Sequence, residues 1–166
     1  LMTLQACVLM GAERIVVADV IERRLEKALQ LGAWHVINGR KEDTVDRSRA
    51  LFGGDGADIV FETAGSRVTA MQSFASVRRG GEVMIVGTIP GETPVDFLKI
   101  NREVKVQTVF RYANNFPMTI QAISSGRFDV LTMVTDEYTY EDVQKAFEES
   151  LSRKAEIIKG VIKISD

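Results

Sequence analysis

The sequence predicts an α/β fold built on a doubly wound parallel sheet of the Rossmann type. Short apolar runs that are rich in β-branched residues and too short for helices recur along the chain. They alternate with segments whose apolar residues have helical spacing, and glycines separate many of these elements. Strands that alternate with helices in this way are typical of a parallel sheet covered by helices on both faces.

The opening strand and helix lie within residues 12–33 and organise the rest of the prediction. The apolar run 15–18 predicts a buried strand, which ends at the single acid Asp19. Helical spacing of the next apolar residues predicts a helix that ends at Gly32. In a dinucleotide-binding fold the acid after the second strand meets the ribose diol of NAD, about 20 residues beyond a glycine-rich phosphate loop. That distance reaches beyond Leu1, so we expect a sheet that lacks its first strand and its glycine-rich loop.

The other elements follow in chain order from the same periodicities. A first helix is expected over 1–10, and later helices over about 42–52, 66–77, 116–125 and 140–150. Further strands are expected at 35–38, 57–61, 82–86, 104–110 and 160–164. Ser66 is expected to cap the helix that follows it.

Length and composition favour one ordinary globular domain. The chain has 166 residues, of which 45% are hydrophobic and 27% charged. A formal net charge of −2 without a basic cluster argues against nucleic acid as a partner. No apolar run reaches the ~20 residues that span a bilayer, so no membrane partner is expected. Residues 1–10 lack the basic leader of a signal peptide. The single cysteine, Cys7, excludes an internal disulfide and is consistent with a cytoplasmic protein.

Four stretches carry a resemblance to a known family: AERIVVADVIERRLEKALQLGA, GADIVFETAG, GGEVMIVGT and VFRYAN. In this order and at these distances they resemble the cofactor half of the zinc-dependent medium-chain dehydrogenases, most closely the sorbitol (polyol) dehydrogenase branch. The resemblance implies an NAD-binding domain over 1–150. It also implies that the tail, 151–166, belongs to the segment that leads back into the catalytic domain. The family's glycine-rich loop, its catalytic domain and its zinc ligands have no counterpart in the sequence.

The resemblance implies a cofactor site at the strand ends. Asp19 would accept hydrogen bonds from the ribose diol and would repel the extra phosphate of NADP, whereas Arg24 matches the family's arginine beside the adenosine. Two simpler interpretations remain open: Asp19 as a surface acid that caps the next helix, and Arg24 as an exposed arginine paired with a neighbouring glutamate. The remaining cofactor-binding candidates close three later strands: Thr63, Ala64, Gly65, Val86, Gly87, Thr88, Val109, Phe110 and Arg111.

Arg111 and Tyr112 are the catalytic candidates. By resemblance they face the substrate cleft, where Arg111 would orient substrate hydroxyls; its guanidinium stays protonated and is no acid-base group. The glycines at the strand ends would also satisfy plain turn chemistry. His35 and Cys7 are expected to be structural, and the acid pairs Asp58/Glu62 and Glu148/Glu149 are expected to be solvated or capping. One cysteine and one histidine provide no zinc site, so no metal ligand is expected.

These expectations lead to two functions of different classes. The first is the NAD(H)-binding domain of a zinc-dependent polyol dehydrogenase, which moves hydride between nicotinamide and a sugar alcohol such as sorbitol or xylitol. This chain alone would be inactive, and two copies would pair through the strand at 104–110. The second is a stand-alone module that senses NAD(H) without chemistry. A methyltransferase of the same architecture is a weaker third possibility, because only the acid after the second strand supports it.

Overall fold

The computed structural model of the chain describes residues 1–100 and 103–164, and these form two compact units. Unit one combines the segments Leu1–Asn38 and Asn114–Asp166, and unit two is the continuous segment Gly39–Ala113. Both units contain helices and parallel strands, which confirms the predicted α/β class. Among the described residues, no helix is both long and apolar enough to cross a membrane.

The elements alternate along most of the chain. The α-helices are α1 Met2–Leu9, α2 Glu22–Gln30, α3 Thr44–Leu51, α4 Arg67–Ser76, α5 Phe97–Ile100, α6 Phe116–Ser124 and α7 Val143–Ser152. The strands are β1 Val16–Asp19, β2 His35–Asn38, β3 Ala57–Glu62, β4 Val77–Ile85, β5 Lys105–Thr108, β6 Val134–Thr139 and β7 Lys159–Lys163. A 3-10 turn at Leu131–Met133 precedes β6.

All strand pairings are parallel, and they group the strands into separate sheets. Strand β1 pairs with β2, the order β3-β4-β5 forms a second sheet, and β6 pairs with β7. Within the described residues no pairing joins one sheet to another.

The first sheet of unit one is covered by a small apolar core. Leu4 of α1, Ala28 of α2 and Ala33 form its centre, and Val17 and Val36 of the sheet pack against them. Helix α2 buries the side of Leu25 and Ala28 and exposes its charged residues, which is the amphipathic pattern that the sequence predicts.

Unit two is held together where glycines allow backbone segments to approach. Gly56 has φ +110, and a Cβ there would contact the carbonyl oxygen of Ser76 and lie 2.9 Å from the nitrogen of Arg78. Strand β4 therefore begins at Val77, directly after α4, rather than at residue 82 as predicted. A register shift between the Ala57–Val77 and Ile59–Glu82 pairings accommodates the residues between Val77 and Glu82.

Other predicted boundaries also need correction. Strand β5 is shorter than 104–110, because its partner β4 ends at Ile85, which pairs with Thr108. Strand β6 and helix α5 were not predicted, and α7 begins at Val143 rather than at residue 140. Helix α7 runs across the boundary between the predicted domain, 1–150, and the predicted tail, 151–166; that division stays a prediction.

Candidate functional site

Asp19 ends β1 and already uses one carboxylate oxygen. Its Oδ1 accepts hydrogen bonds from the backbone N–H groups of Val20 at 2.7 Å and Ile21 at 3.0 Å. The carboxylate thus holds the turn between β1 and α2. It is not the helix cap of the simpler interpretation, because the N-cap of α2 is Ile21 and has no side-chain hydrogen bond. The side chain is still 26% exposed, and its Oδ2 lies 3.8 Å from Nη1 of Arg24. One oxygen therefore holds the backbone and the other faces a cation at the carboxyl end of a parallel strand.

Arg24 lies one turn into α2, and it forms an ion pair with Asp19. The side chain is 32% exposed, so solvent screens this pair. The glutamate beside it, Glu22, instead accepts a hydrogen bond of 2.6 Å from Asn38, the last residue of β2. Arg24 therefore pairs with Asp19 and not with a neighbouring glutamate.

Glu62 ends β3 and is the most deeply buried acid at these strand ends. Its residue surface is 2% exposed, so of the two expected roles, solvated or capping, solvation is excluded. Oε1 accepts hydrogen bonds from the backbone N–H groups of Ala64 at 3.0 Å and Gly65 at 2.9 Å, and from the hydroxyl of Thr69 at 2.6 Å. Oε2 is buried and has no hydrogen-bond partner among the described residues.

The segments that end β3 and β4 approach each other through two glycines. A Cβ on Gly65, which has φ +71, would lie 2.8 Å from the carbonyl oxygen of Thr88. A Cβ on Gly87 would contact the nitrogen of Gly65 and lie 2.5 Å from Oε2 of Glu62. These two approaches bring Thr63–Gly65 and Val86–Thr88 together, which we call the glycine cradle. Turn chemistry alone does not account for Gly87, because its restriction is steric.

Arg111 follows β5 in a strained backbone conformation. Its φ is +58, in the left-handed region that non-glycine residues rarely adopt, and its guanidinium carbon lies 5.2 Å from the ring centre of Phe110. Phe110 is 84% exposed and Tyr112 is 59% exposed. Strain of this kind concentrates at functional sites, so it is consistent with the role predicted for this segment.

The residues expected to be structural have ordinary surroundings. The ring of His35 lies 6.2 Å from that of Trp34, and burial raises the pKa of the half-buried Cys7 thiol. Asp58 forms an exposed ion pair with Arg78. Hydrogen bonds from Tyr138 and Arg153 lower the pKa of Glu149, which is therefore bound rather than simply solvated.

The candidates thus divide between the units, with Asp19 and Arg24 in unit one and the glycine cradle and Arg111 in unit two. The sequence analysis did not identify Glu62 as the residue that lies under the glycine cradle and bonds to it. The available signal was the acid followed by Ala64, Gly65 and, seven positions on, Thr69, which together supply its donors. In the part of the chain that the structure describes, no group of three or more His, Cys, Asp or Glu could hold a metal ion. These residues do not fit zinc, and the expectation that the chain binds none stays a prediction.

Comparisons with known proteins add an independent finding. A family profile described as "Zinc-binding dehydrogenase" matches residues 1–125. The zinc-type alcohol dehydrogenase-like protein YdjJ of Escherichia coli K12 is 64% identical over 166 residues, which are 100% of this chain and 48% of that protein. The sorbitol dehydrogenase of Bacillus subtilis 168 is 37% identical over 166 residues, covering 98% of this chain and 46% of that protein.

A solved structure agrees with these relatives. The crystal structure of ECK1772, an oxidoreductase/dehydrogenase of unknown specificity from Escherichia coli, matches with a TM-score of 0.94 and 64% identity. The match covers 99% of this chain and 47% of that one. The chain therefore spans about half the length of the curated relatives that it matches.

Proposed function

Because the chain belongs to the zinc-binding dehydrogenase family, we propose that it supplies the NAD(H)-binding half of a zinc-dependent polyol dehydrogenase. The complete protein would transfer hydride between C4 of nicotinamide and the carbinol carbon of a sugar alcohol. Support for a polyol comes from the likeness to the sorbitol dehydrogenase of Bacillus subtilis at 37% identity. The part that we propose for this chain is to bind and orient the cofactor.

The observation that carries the cofactor proposal is the geometry of Asp19. Its Oδ1 is held by two backbone N–H groups, which orients Oδ2 at the strand end where parallel sheets bind nucleotides. A carboxylate in this position can accept hydrogen bonds from the ribose hydroxyls of NAD, and charge-assisted bonds of this kind contribute about 1.5–3 kcal/mol. In NADP the 2′-hydroxyl carries a phosphate, so that bond is lost and like charges meet. Arg24 opposes this preference, but it is already close to Asp19.

Cofactor binding by the complete protein tests this proposal. We expect an affinity for NAD about two orders of magnitude above that for NADP, which corresponds to roughly 2.7 kcal/mol. Asp19→Ser should shrink this preference, because Arg23 and Arg24 are then left to receive the 2′-phosphate. Glu26→Gln is the matched control, since Glu26 is an exposed acid on the same helix. Equal affinities for NAD and NADP in the unmodified protein would contradict the role of Asp19.

Within unit two, the resemblance assigns further cofactor contacts. Gly65 and Gly87 allow the ends of β3 and β4 to lie against each other, and by resemblance the backbone of this glycine cradle would face the cofactor. By resemblance, Val109, Phe110 and Arg111 would lie toward the nicotinamide end. The places of these residues at or just after the ends of β3, β4 and β5 support the assignments, because parallel sheets bind ligands at the carboxyl ends of their strands.

Arg111 would orient the substrate, with Tyr112 beside it. The strained backbone supports this role, because the remaining fold must hold Arg111 in place. Arg111→Ala in the complete protein should lower turnover by about a hundredfold and change NAD affinity much less. Arg79→Ala, at an exposed position of the same unit, is the control. Unchanged steady-state turnover in Arg111→Ala would contradict this role and indicate an ordinary surface arginine.

The outer edge of β5 supports a homodimer. All four residues of β5 are exposed, and β5 pairs only with β4 among the described strands. An open strand edge can pair with the same edge of a second copy. Sedimentation at tens of micromolar should therefore show a dimer, whereas a monomer would contradict this arrangement. Binding of NAD(H) without turnover of any polyol would instead favour the sensing module, and a cytoplasmic location is expected in either case.

A further inference from the structure

Glu62 is a buried carboxylate with an asymmetric environment. Three donors converge on Oε1, two from the backbone and one from Thr69, and this arrangement stabilises a negative charge. Oε2 has no partner among the described residues although it is buried. A buried polar atom without a partner is uncommon in folded proteins and calls for an explanation. Local folding explains Oε1, but it does not explain why an acid rather than an amide occupies this position.

The position of the carboxylate excludes direct contact with a ligand. Gly87 closes over Oε2, because even the Cβ of an alanine at this position would lie 2.5 Å from that oxygen. Glu62 lies directly under the glycine cradle, since it bonds to Ala64 and Gly65 and its backbone oxygen accepts from Val86 and Gly87. Any influence on a molecule held by the cradle must therefore act through the electric field, which is weakly screened in a buried environment.

We propose that Glu62 is a specificity-determining residue that makes the cradle favour the oxidised, positively charged nicotinamide ring over the reduced, neutral ring. This inference rests on the proposed function and adds to it that the glycine cradle, together with Val109–Arg111, lies at the nicotinamide end of NAD(H). The oxidised and reduced cofactors share the same adenosine and pyrophosphate, so repulsion between Glu62 and the phosphates cancels when the two affinities are compared. The charge of the nicotinamide ring is therefore the electrostatic difference that remains between the two cofactors. A negative charge beneath it lowers the free energy of the oxidised complex alone.

The test compares the affinities of the complete protein for NAD⁺, NADH and ADP-ribose by isothermal titration calorimetry. Glu62→Gln keeps the shape of the side chain and an oxygen for the three donors but removes the charge. The ratio of NAD⁺ affinity to NADH affinity should fall about fivefold in this variant, whereas ADP-ribose, which has no ring, should follow NADH. Asp58→Asn is the matched control. It removes the same charge from the same strand at a side chain that is 79% exposed, and it should leave the ratio unchanged.

Thr69→Val covers the possibility that Glu62→Gln does not fold. This variant keeps the carboxylate and removes the hydroxyl that offsets its charge, so the ratio should rise by about twofold. An unchanged or lower ratio in Thr69→Val would overturn the proposal, as would an unchanged ratio in a folded Glu62→Gln protein. If the unmodified protein bound neither NAD⁺ nor NADH, the proposed function itself would fail, which is a separate result.

Discussion

Asp19 and Glu62 each end a parallel strand, and each uses one carboxylate oxygen to hold two backbone N–H groups of the turn that follows. Their second oxygens differ. Oδ2 of Asp19 lies near Arg24 on a side chain that is 26% exposed. Oε2 of Glu62 lies under Gly87 in a residue that is 2% exposed. The same local hydrogen-bond pattern therefore prepares one acid for contact with a ligand and leaves the other as a fixed buried charge.

The difference arises from the segment that packs against each strand end. For Glu62 the end of β4 supplies that segment, and its glycine allows backbone to cover the carboxylate. Because the covering residues come from a later strand, the local sequence around an acid does not decide which of the two roles it takes. Substitutions can test this difference between Asp19 and Glu62. We expect the largest effect at Gly87, which covers Glu62, a smaller one at its hydrogen-bond donor Thr69, and smaller effects still at the acids themselves.

Gly87→Ala should have the largest effect, because it places a methyl group where Glu62 and Gly65 leave no room. We expect the free energy of unfolding to fall by about 3 kcal/mol, as for an overpacked core. Gly53→Ala is the control: Gly53 has φ +77, but a Cβ added there would meet no atom within 4 Å, so only backbone strain of about 1 kcal/mol applies. Urea denaturation of both variants measures the difference. Equal decreases in the free energy of unfolding would mean that the backbone at Gly87 does not pack tightly against Glu62.

Thr69→Val removes a hydrogen bond of 2.6 Å to the buried carboxylate. Since hydrogen bonds to charged groups contribute about 1.5–3 kcal/mol, unfolding should become easier by about 2 kcal/mol. Thr132→Val removes a bond of the same length, 2.6 Å, to the exposed Asp129, and its loss should be clearly smaller. Thermal unfolding of the two variants compares the environments directly. An equal decrease in stability for Thr132→Val would show that burial of Glu62 does not strengthen its hydrogen bond with Thr69.

Asp19→Asn tests contact rather than burial. The amide keeps an oxygen for Val20 and Ile21, so the fold should change little, but the charge that meets the ribose is lost. Affinity for ADP-ribose should fall about tenfold, or roughly 1.4 kcal/mol. Glu62→Gln should change ADP-ribose affinity by no more than about twofold, because its carboxylate makes no contact outside the protein. Calorimetry that found equal losses in both variants would remove the distinction between the two acids.

The smallest effect concerns an acid that has neither role. Hydrogen bonds from Thr132 lower the pKa of Asp129, so this group adds stability above its ordinary pKa and loses that contribution as the pH falls through the lowered value. Thr132→Val should raise the pKa of Asp129 toward its ordinary value. The free energy of unfolding should then fall less steeply as the pH is lowered. An NMR titration of the Asp129 side chain checks this, and a pKa that does not move would contradict the assigned cause.

The first strand and helix could be predicted from sequence because their determinants are local. An apolar run, a single acid at position 19 and helical spacing up to Gly32 lie within 22 residues, as do β1 and α2. Ser66 was also predicted correctly as a cap, since its side chain accepts a hydrogen bond from the N–H group of Thr69. The burial of Glu62 could not be predicted, because it depends on Gly87, which lies 25 positions later in the sequence.

Strand β6 was missed for a similar reason. Its sequence, VTDEYT, contains two acids and little apolar alternation. Its pairing with β7 places Asp136 opposite Gly160 and close to Arg153, which neutralises one of the acids. A polar strand of this kind is stabilised by partners that lie 17 and 24 positions away, whereas hydrophobic periodicity reflects only neighbouring residues.

The discontinuity of unit one also has a consequence for how the chain folds. Unit two is one continuous segment, so its contacts require only short loops to close. The side-chain amide of Gln5 donates to the carbonyl oxygen of Asp129 and accepts from its N–H group, across 124 positions of sequence. During synthesis, residues 39–113 have left the ribosome before Asp129 is available to Gln5. We therefore expect α1 to find its partner later than residues 39–113 find theirs, and to stay exposed to chaperones for longer than that segment.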